Sequence, residues 1–318
     1  MRGKLDEESR PGQSGTESNT PLSRSSWRAC ALGIASALIL SSAAQAYTAA
    51  GDRLFPATIL LPQIGPTDEF YITGSTLPQQ TSSGAPGGRS TNLTAVFDKT
   101  ITDRFSATLT EGYAWQRLGA GSSPSGWQNF AFALQYLAIL DQPREFLLSA
   151  GIEREFGGTG AMKIGANSQG ATIPALFFGK GLGDFDLGYL RPLAFAGTVG
   201  YLISDGAPRP NLVQTGFVIE YSIPYLLSKV AAVEMPDFLR ATTPMVEMQF
   251  SKPVGRSFGQ ASTALIGAGF NYSGEGWDLG VEALIPQNHA TGRGAGFTIQ
   301  LHFSLDFLAP TTIGKPLL

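Results

Sequence analysis

Near the end of the chain, "QLHFSLDF" sets His302, Ser304 and Asp306 two residues apart. A serine, a histidine and a carboxylate are the parts of a nucleophilic hydrolase site, in which the ring takes the hydroxyl proton and the acid orients the ring. Their spacing denies them that use. From Phe297 to Phe307 apolar and polar residues alternate, the period of a strand, so all three side chains share one face. Neighbours two apart on that face stand about 7 Å from one another, and those four apart about 13 Å, beyond hydrogen-bond contact. An esterase or phospholipase built on His302 needs its serine from another strand. A simple hairpin register with the preceding segment brings Glu282 beside His302, and an ion pair is the expectation.

Other chemistry is scarce. There is no GxSxG, HExxH or Walker loop, and "GKGLGD" (179–184) lacks the hydroxyl after Lys180 that a phosphate loop requires. His289, the second of two histidines, lies in a loop without a metal-ligand pattern. Cys30 is the single cysteine and falls within an apolar leader, so the exported chain has neither a disulfide nor a thiolate metal site. No catalytic residue, metal or cofactor is expected.

The leader narrows the location. A polar stretch precedes Arg28, then "ACALGIASALIL" supplies an apolar run too short to span a bilayer, and Ala44-Gln45-Ala46 fits a small-x-small cleavage site. Residues 1–46 are therefore expected to be a cleaved signal peptide. Its removal takes five of the 22 Lys and Arg and four of the 25 Asp and Glu, leaving a mildly acidic product of 17 against 21. No basic stripe exists for nucleic acid. Only 15% of the 318 residues are charged, against about a quarter in a soluble domain.

Alternation recurs along the mature chain. "WQNFAFALQYLAIL" and "TPMVEMQFSKP" place large apolar groups on one side; the other carries Gly, Ser, Thr, Gln and carboxylates, almost without lysine. Such a face suits a lumen better than bulk water, with the apolar side toward lipid. About twelve such segments occur, near 68–76, 90–100, 105–118, 127–140, 146–156, 172–182, 193–204, 212–223, 241–252, 262–272, 277–286 and 296–308, close to the length a tilted strand needs to cross a bilayer. The periodicity is weakest over 172–204. Tight connections (102–104, 141–145, 273–276) alternate with longer ones (119–126, 157–171, 287–295), as periplasmic turns and outer loops do. The fold expected is all-β, a transmembrane antiparallel up-and-down barrel of about twelve strands over 68–308.

Three segments stand apart. Residues 47–67 hold Pro56, Pro62 and Pro66, which exclude a regular ladder, and form an extended segment in the periplasm or entering the lumen. "PYLLSKVAAVEMPDFL" (224–239) has helical spacing with Pro236 as a stop, a short periplasmic helix tying down a connection. The last strand is expected to end at Leu308, and 309–318, with Pro310 and Pro316, to form a periplasmic tail.

The lumen-lining polar residues predicted by this reading are Glu153, Glu155, Glu220, Glu247, Gln249, Asp278, Glu282, Gln300, His302 and Asp306. Trp115, Trp127 and Trp277 form the aromatic girdle. Carboxylates in a pore favour cations or neutral polar solutes over anions. A sealed lumen, with the acids paired to Arg or Lys, is equally compatible with the pattern.

"YSIPYLLSKVAAVEMPDFLRATTPMVEMQFSKPVG", "GVEALIPQNHATGRGAGFTIQLHFSLDFLAP" and the terminal "IGKPLL" resemble a group of bacterial outer-membrane barrels associated with the transporter-like family named for the meta-pathway of phenol degradation. "FDKTITDRFS" and "LRPLAFAGTVGY" extend the resemblance upstream. It implies a Gram-negative outer-membrane barrel carrying small compounds, with membrane lipid, small solutes and the barrel-assembly machinery as partners. A passive channel is the leading expectation. A lipid-active enzyme using His302 and a non-conducting structural or binding barrel are the alternatives.

Overall fold

The computed structural model describes residues 48–79, 88–118, 121, 123–255 and 259–318; the leader lies outside them. The strands are β1 (Thr48–Ala50), β2 (Arg53–Phe55), β3 (Glu69–Gln79), β4 (Gly88–Thr102), β5 (Phe105–Arg117), β6 (Ser125–Trp127), β7 (Ala131–Asp141) and β8 (Phe146–Glu155). They continue with β9 (Ala171–Gly181), β10 (Leu193–Ser204), β11 (Asn211–Tyr221), β12 (Thr242–Val254), β13 (Thr263–Ser273), β14 (Trp277–Pro286) and β15 (Gly296–Ser304). Each long strand from β3 onward pairs antiparallel with the next long one, and β15 pairs with β3, so twelve strands close into a barrel. β6 is a short annex on β5, and β1 with β2 forms a separate hairpin.

Closure leaves no edge strand, and the period of two then decides what each side meets. Leu109, Ile152, Leu176, Val199, Phe270 and Ile299 point outward and are exposed, while Glu220, Glu247, Asn271, Thr298 and His302 point inward and are buried. A soluble sandwich would show the reverse. Even the weakly periodic 172–204 stretch forms its ladder, with Ala194 opposite Gly181 and Gly200 opposite Ala175. No helix among the described residues is long and apolar enough to cross a membrane.

Short turns at 103–104, 142–145 and 274–276, together with 182–192 and 222–241, lie at one end, here the turn end. The chain enters β3 and leaves β15 there. The longer loops lie at the other, the loop end.

Two expectations need correction. The helical spacing of 224–239 yields the expected short helix over Ile223–Val230, opened by the Ser222 hydroxyl accepting from the Tyr225 N–H at 3.2 Å, but it stops early and Asp237–Arg240 forms a separate turn. Ala231 is extended between them, and Pro236 starts the second turn instead of stopping the first; its fixed φ suits the beginning of a helix. The last strand ends at Ser304, not Leu308. The Leu305 N–H turns to the Asp68 carbonyl at 2.9 Å, and Leu305–Leu308 coils into one helical turn. The tail after it runs back to β4, where the Leu318 N–H donates to the Ile101 carbonyl at 2.9 Å and Lys99 Nζ to the Lys315 carbonyl at 2.8 Å.

Candidate functional site

The barrel is not empty. Residues 48–66 occupy its turn-end half. Gly51, in the left-handed region at φ +64°, turns the β1–β2 hairpin so tightly against the wall that a Cβ there would lie 2.3 Å from the Gln142 carbonyl oxygen. Beyond Phe55 the prolines prevent strand pairing, so the backbone polar groups of the segment must find partners among side chains of the wall.

Glu247 is the main partner. Its Oε1 accepts from the Ile59 N–H at 2.6 Å, and its Oε2 from the N–H groups of Leu60 at 3.0 Å and Leu61 at 3.1 Å. Three successive amides converging on one carboxylate form an anion-binding nest. The Thr58 hydroxyl fixes that turn by donating to the Leu61 carbonyl at 2.6 Å. Gln135 Nε2 donates to the Gln63 carbonyl at 3.0 Å, and Gln249 Nε2 reaches the Leu60 carbonyl at 3.4 Å.

Apolar packing completes the seat on one side. Phe55, Ile59, Leu61 and Ile64 join Leu137, Leu147, Ala194, Ala196 and Val218 in one buried cluster. The wall makes room with glycine: a Cβ on Gly216 would lie 2.2 Å from Leu61 Cδ2.

A second anchor sits at the turn end. Arg53 is wholly buried; its guanidinium donates to the carbonyls of Arg191 at 2.6 Å, Pro192 at 3.0 Å and Leu193 at 3.2 Å, and to Glu145 Oε2 at 3.4 Å. It also lies 4.2 Å from the centre of the Tyr225 ring, whose hydroxyl donates to Glu145 Oε1 at 2.8 Å. Burial, then the Glu145 carboxylate, pushes that hydroxyl above its ordinary pKa. The charge of Arg53 is thus compensated on every side, as a buried cation must be.

His302 lies on the opposite wall with both ring nitrogens taken: Nδ1 faces Asp278 Oδ2 at 3.0 Å, and Nε2 faces Glu69 Oε2 at 2.6 Å. Glu282 is not its partner. The β14–β15 hairpin turns about Ala290, which sets His302 opposite Asp278 and Glu282 opposite Thr298. No ring nitrogen remains to activate a serine. The Ser304 hydroxyl donates instead to Asp306 at 2.5 Å.

Glu153, Glu155, Glu220, Glu247, Gln249, Asp278, Glu282, Gln300 and His302 all stand on inward rows of the barrel. Asp306 does not, because β15 has ended; its carboxylate caps the Phe307 N–H at 2.9 Å and is pushed above the usual carboxylate range by burial. Glu155 pairs with Arg209 at 2.5 Å, and Gln300 Nε2 donates to Thr73 Oγ1 at 3.0 Å. Trp115 and Trp127 flank Tyr113 at the loop end, with ring centres 4.7 and 5.2 Å from it. Trp277 packs beside Tyr272 at the turn end.

Arg53, Glu69, Glu145, Tyr225 and Asn271 are absent from the sequence-based set. Only Arg53 carried a signal, as the one basic residue of the proline segment. The roles of the rest depend on strands brought together by closure.

Above the segment the lumen opens into a cavity of about 480 Å³, lined by Leu61, Tyr71, Asp98, Gln135, Glu153 and Gln249 among others. No group of three His, Cys, Asp or Glu able to hold a metal ion exists among the described residues.

No family model and no curated protein matches the sequence. The fold has solved counterparts. The COG4313 outer membrane channel from Pseudomonas putida F1 is 11% identical with a TM-score of 0.51, over 79% of this chain and 99% of that one. A KdgM porin is 13% identical with a TM-score of 0.44, over 74% and 98%. LpxR from Salmonella typhimurium is 8% identical with a TM-score of 0.43, over 74% and 99%. The architecture is that of outer-membrane β-barrels, while the sequence comparisons give no support to the phenol meta-pathway relationship.

Proposed function

We propose that the protein is a passive outer-membrane channel for small molecules, closed at rest by residues 51–66. The turn end faces the periplasm, and residues 1–46 direct export before assembly into outer-membrane lipid by the barrel-assembly machinery. The observation that carries this reading is the Glu247 seat. Beyond the Arg53 anchor the segment is held by one carboxylate, a few side-chain contacts and apolar packing into glycine-made hollows, not by strand pairing with the wall, so it can leave without breaking the barrel. The cavity continuing above it, which Asp98, Gln135, Glu153 and Gln249 help to line, supports a path for solutes. The likeness to solved outer-membrane channels agrees with that reading, and the quoted C-terminal motifs keep kinship with the phenol meta-pathway transporters as its finer form. A hydrolase built on His302 finds no support, since both ring nitrogens face carboxylates.

Planar-bilayer recording tests the reading. Wild-type protein is expected to open rarely, and Glu247→Leu to conduct far more often while keeping a folded barrel. A folded Glu247→Leu barrel as silent as the wild type overturns it.

A further inference from the structure

Behind the seated segment stand polar groups that the closed state leaves without partners. Glu282 is 1% exposed, and neither of its carboxylate oxygens accepts a hydrogen bond from a described residue. Asn271 is equally buried, with both Nδ2 and Oδ1 unbonded, and Glu220 Oε1 is in the same condition. What covers them is aliphatic. Glu282 reaches over Gly267, where a Cβ would meet its Oε2 at 2.2 Å and Leu60 Cδ1 at 2.8 Å. Ile59 covers Gly280 in the same way, with Asn271 Oδ1 3.5 Å from the Cβ position. A buried carboxylate and amide facing leucine and isoleucine tips are unfavourable, so a packing role does not account for them.

We propose that Glu247 and Glu282 form a binding site for a primary ammonium group, with Asn271 farther along the same wall, masked while the segment is seated. The inference rests on the segment being displaceable, as in the function proposed above. On its departure Glu247 loses its three amide donors and faces the lumen beside Glu282, across the glycine gap at Gly267. The two carboxylates then offer acceptors to the N–H donors of one R–NH₃⁺, and Asn271, four residues from Gly267 along β13, offers its amide to a second polar group of a longer molecule. Glu247 serves either the segment or the cation, never both. Ammonium binding therefore favours the open lumen by thermodynamic linkage.

The test needs no current. In a Cys30→Ser background, which removes the only cysteine, Ile64→Cys places a thiol under the segment on the far side from the proposed site. Its labelling by a water-soluble maleimide reports release of the segment, and Leu61→Cys repeats the readout if the first variant does not fold. Butylammonium chloride is compared with tetramethylammonium chloride, which lacks N–H donors, at equal ionic strength. Labelling is expected to be faster in butylammonium by about fivefold or more, the lower range of allosteric couplings, and Glu282→Gln combined with Asn271→Leu is expected to abolish the difference. Equal rates in the two salts overturn the ammonium site and leave the channel reading standing. Ammonium-dependent labelling of a protein that never conducts upholds the site and overturns the channel. No labelling in either salt, even with Glu247→Leu, overturns both.

Discussion

The two walls that meet the inserted segment are built on opposite terms. From β7 to β11 the inward row near the turn end is mostly apolar or glycine, with Ser149 and Glu220 as its buried polar members: Leu137, Leu147, Gly179, Ala194, Ala196 and Val218 fit Phe55, Leu61 and Ile64 by shape. From β12 round to β3 it is polar, with Glu247, Asn271, Glu282, Gln300, His302 and Glu69 all buried. The first wall holds the segment by removing hydrocarbon from water, which is strong and indifferent to direction. The second holds it through one carboxylate and tolerates unpaired groups elsewhere. A permanent core would be apolar on both sides. One well-packed wall against one unsatisfied wall is what a removable stopper requires.

The largest test of that contrast is Glu247→Leu. It orphans three amides, two of them buried, at about 1–3 kcal/mol for each buried one, so the segment should spend most of its time released, as seen in bilayer conductance or proteolysis of residues 51–66. Ile64→Ala attacks the apolar wall and should weaken seating by about 2–5 kcal/mol, read by the same two assays. If it has no effect, shape does not hold the segment and the contrast fails. Glu282→Met should act in the opposite sense, raising the thermal stability of the closed protein by up to about 4 kcal/mol; a loss of stability would show that Glu282 is satisfied after all.

Tyr225→Phe probes the anchor outside both walls and should cost about 1 kcal/mol at neutral pH. Below the ordinary tyrosine value, about 10, folded and unfolded chains both carry the phenolic proton and the Glu145 bond is fully present. As pH rises through that value the unfolded chain ionises first, so the stabilisation falls until the raised folded value is passed. The variant should lose this alkaline decline in a pH series of melting curves. Lys229→Ala, which removes an exposed pair with Asp52 at 2.7 Å, should change stability by less than about 1 kcal/mol.

Much of this architecture is legible in the residues. A period of two needs no partner to be read, and β10 and β14 run over the ranges expected, Leu193–Ser204 and Trp277–Pro286. Pro56, Pro62 and Pro66 likewise mark a segment that cannot belong to the wall. The site is less legible because contacts between strands depend on register, and register depends on how a loop folds. A shift of four residues in the β14–β15 hairpin separates the expected Glu282 partner of His302 from the observed Asp278. Arg53 is harder still, since it binds three backbone carbonyls, and every residue has one of those. The early end of β15 arises from contacts with Asp68, at the opposite end of the mature chain, which no local pattern announces.

The pairing of His302 with Glu69 spans 233 positions of sequence, and it crosses the one seam at which the first and last barrel strands meet. Contacts of such separation bear the greatest loop-closure entropy and form after the local hairpins. Around it the Leu305 amide reaches Asp68, and Leu318 reaches Ile101, lacing the same seam from the turn end. The consequence concerns rates. Weakening these contacts, for instance with His302→Ala, should leave hairpin assembly nearly untouched and speed the unzipping of the finished barrel, making this seam the clasp that sets its lifetime in the membrane.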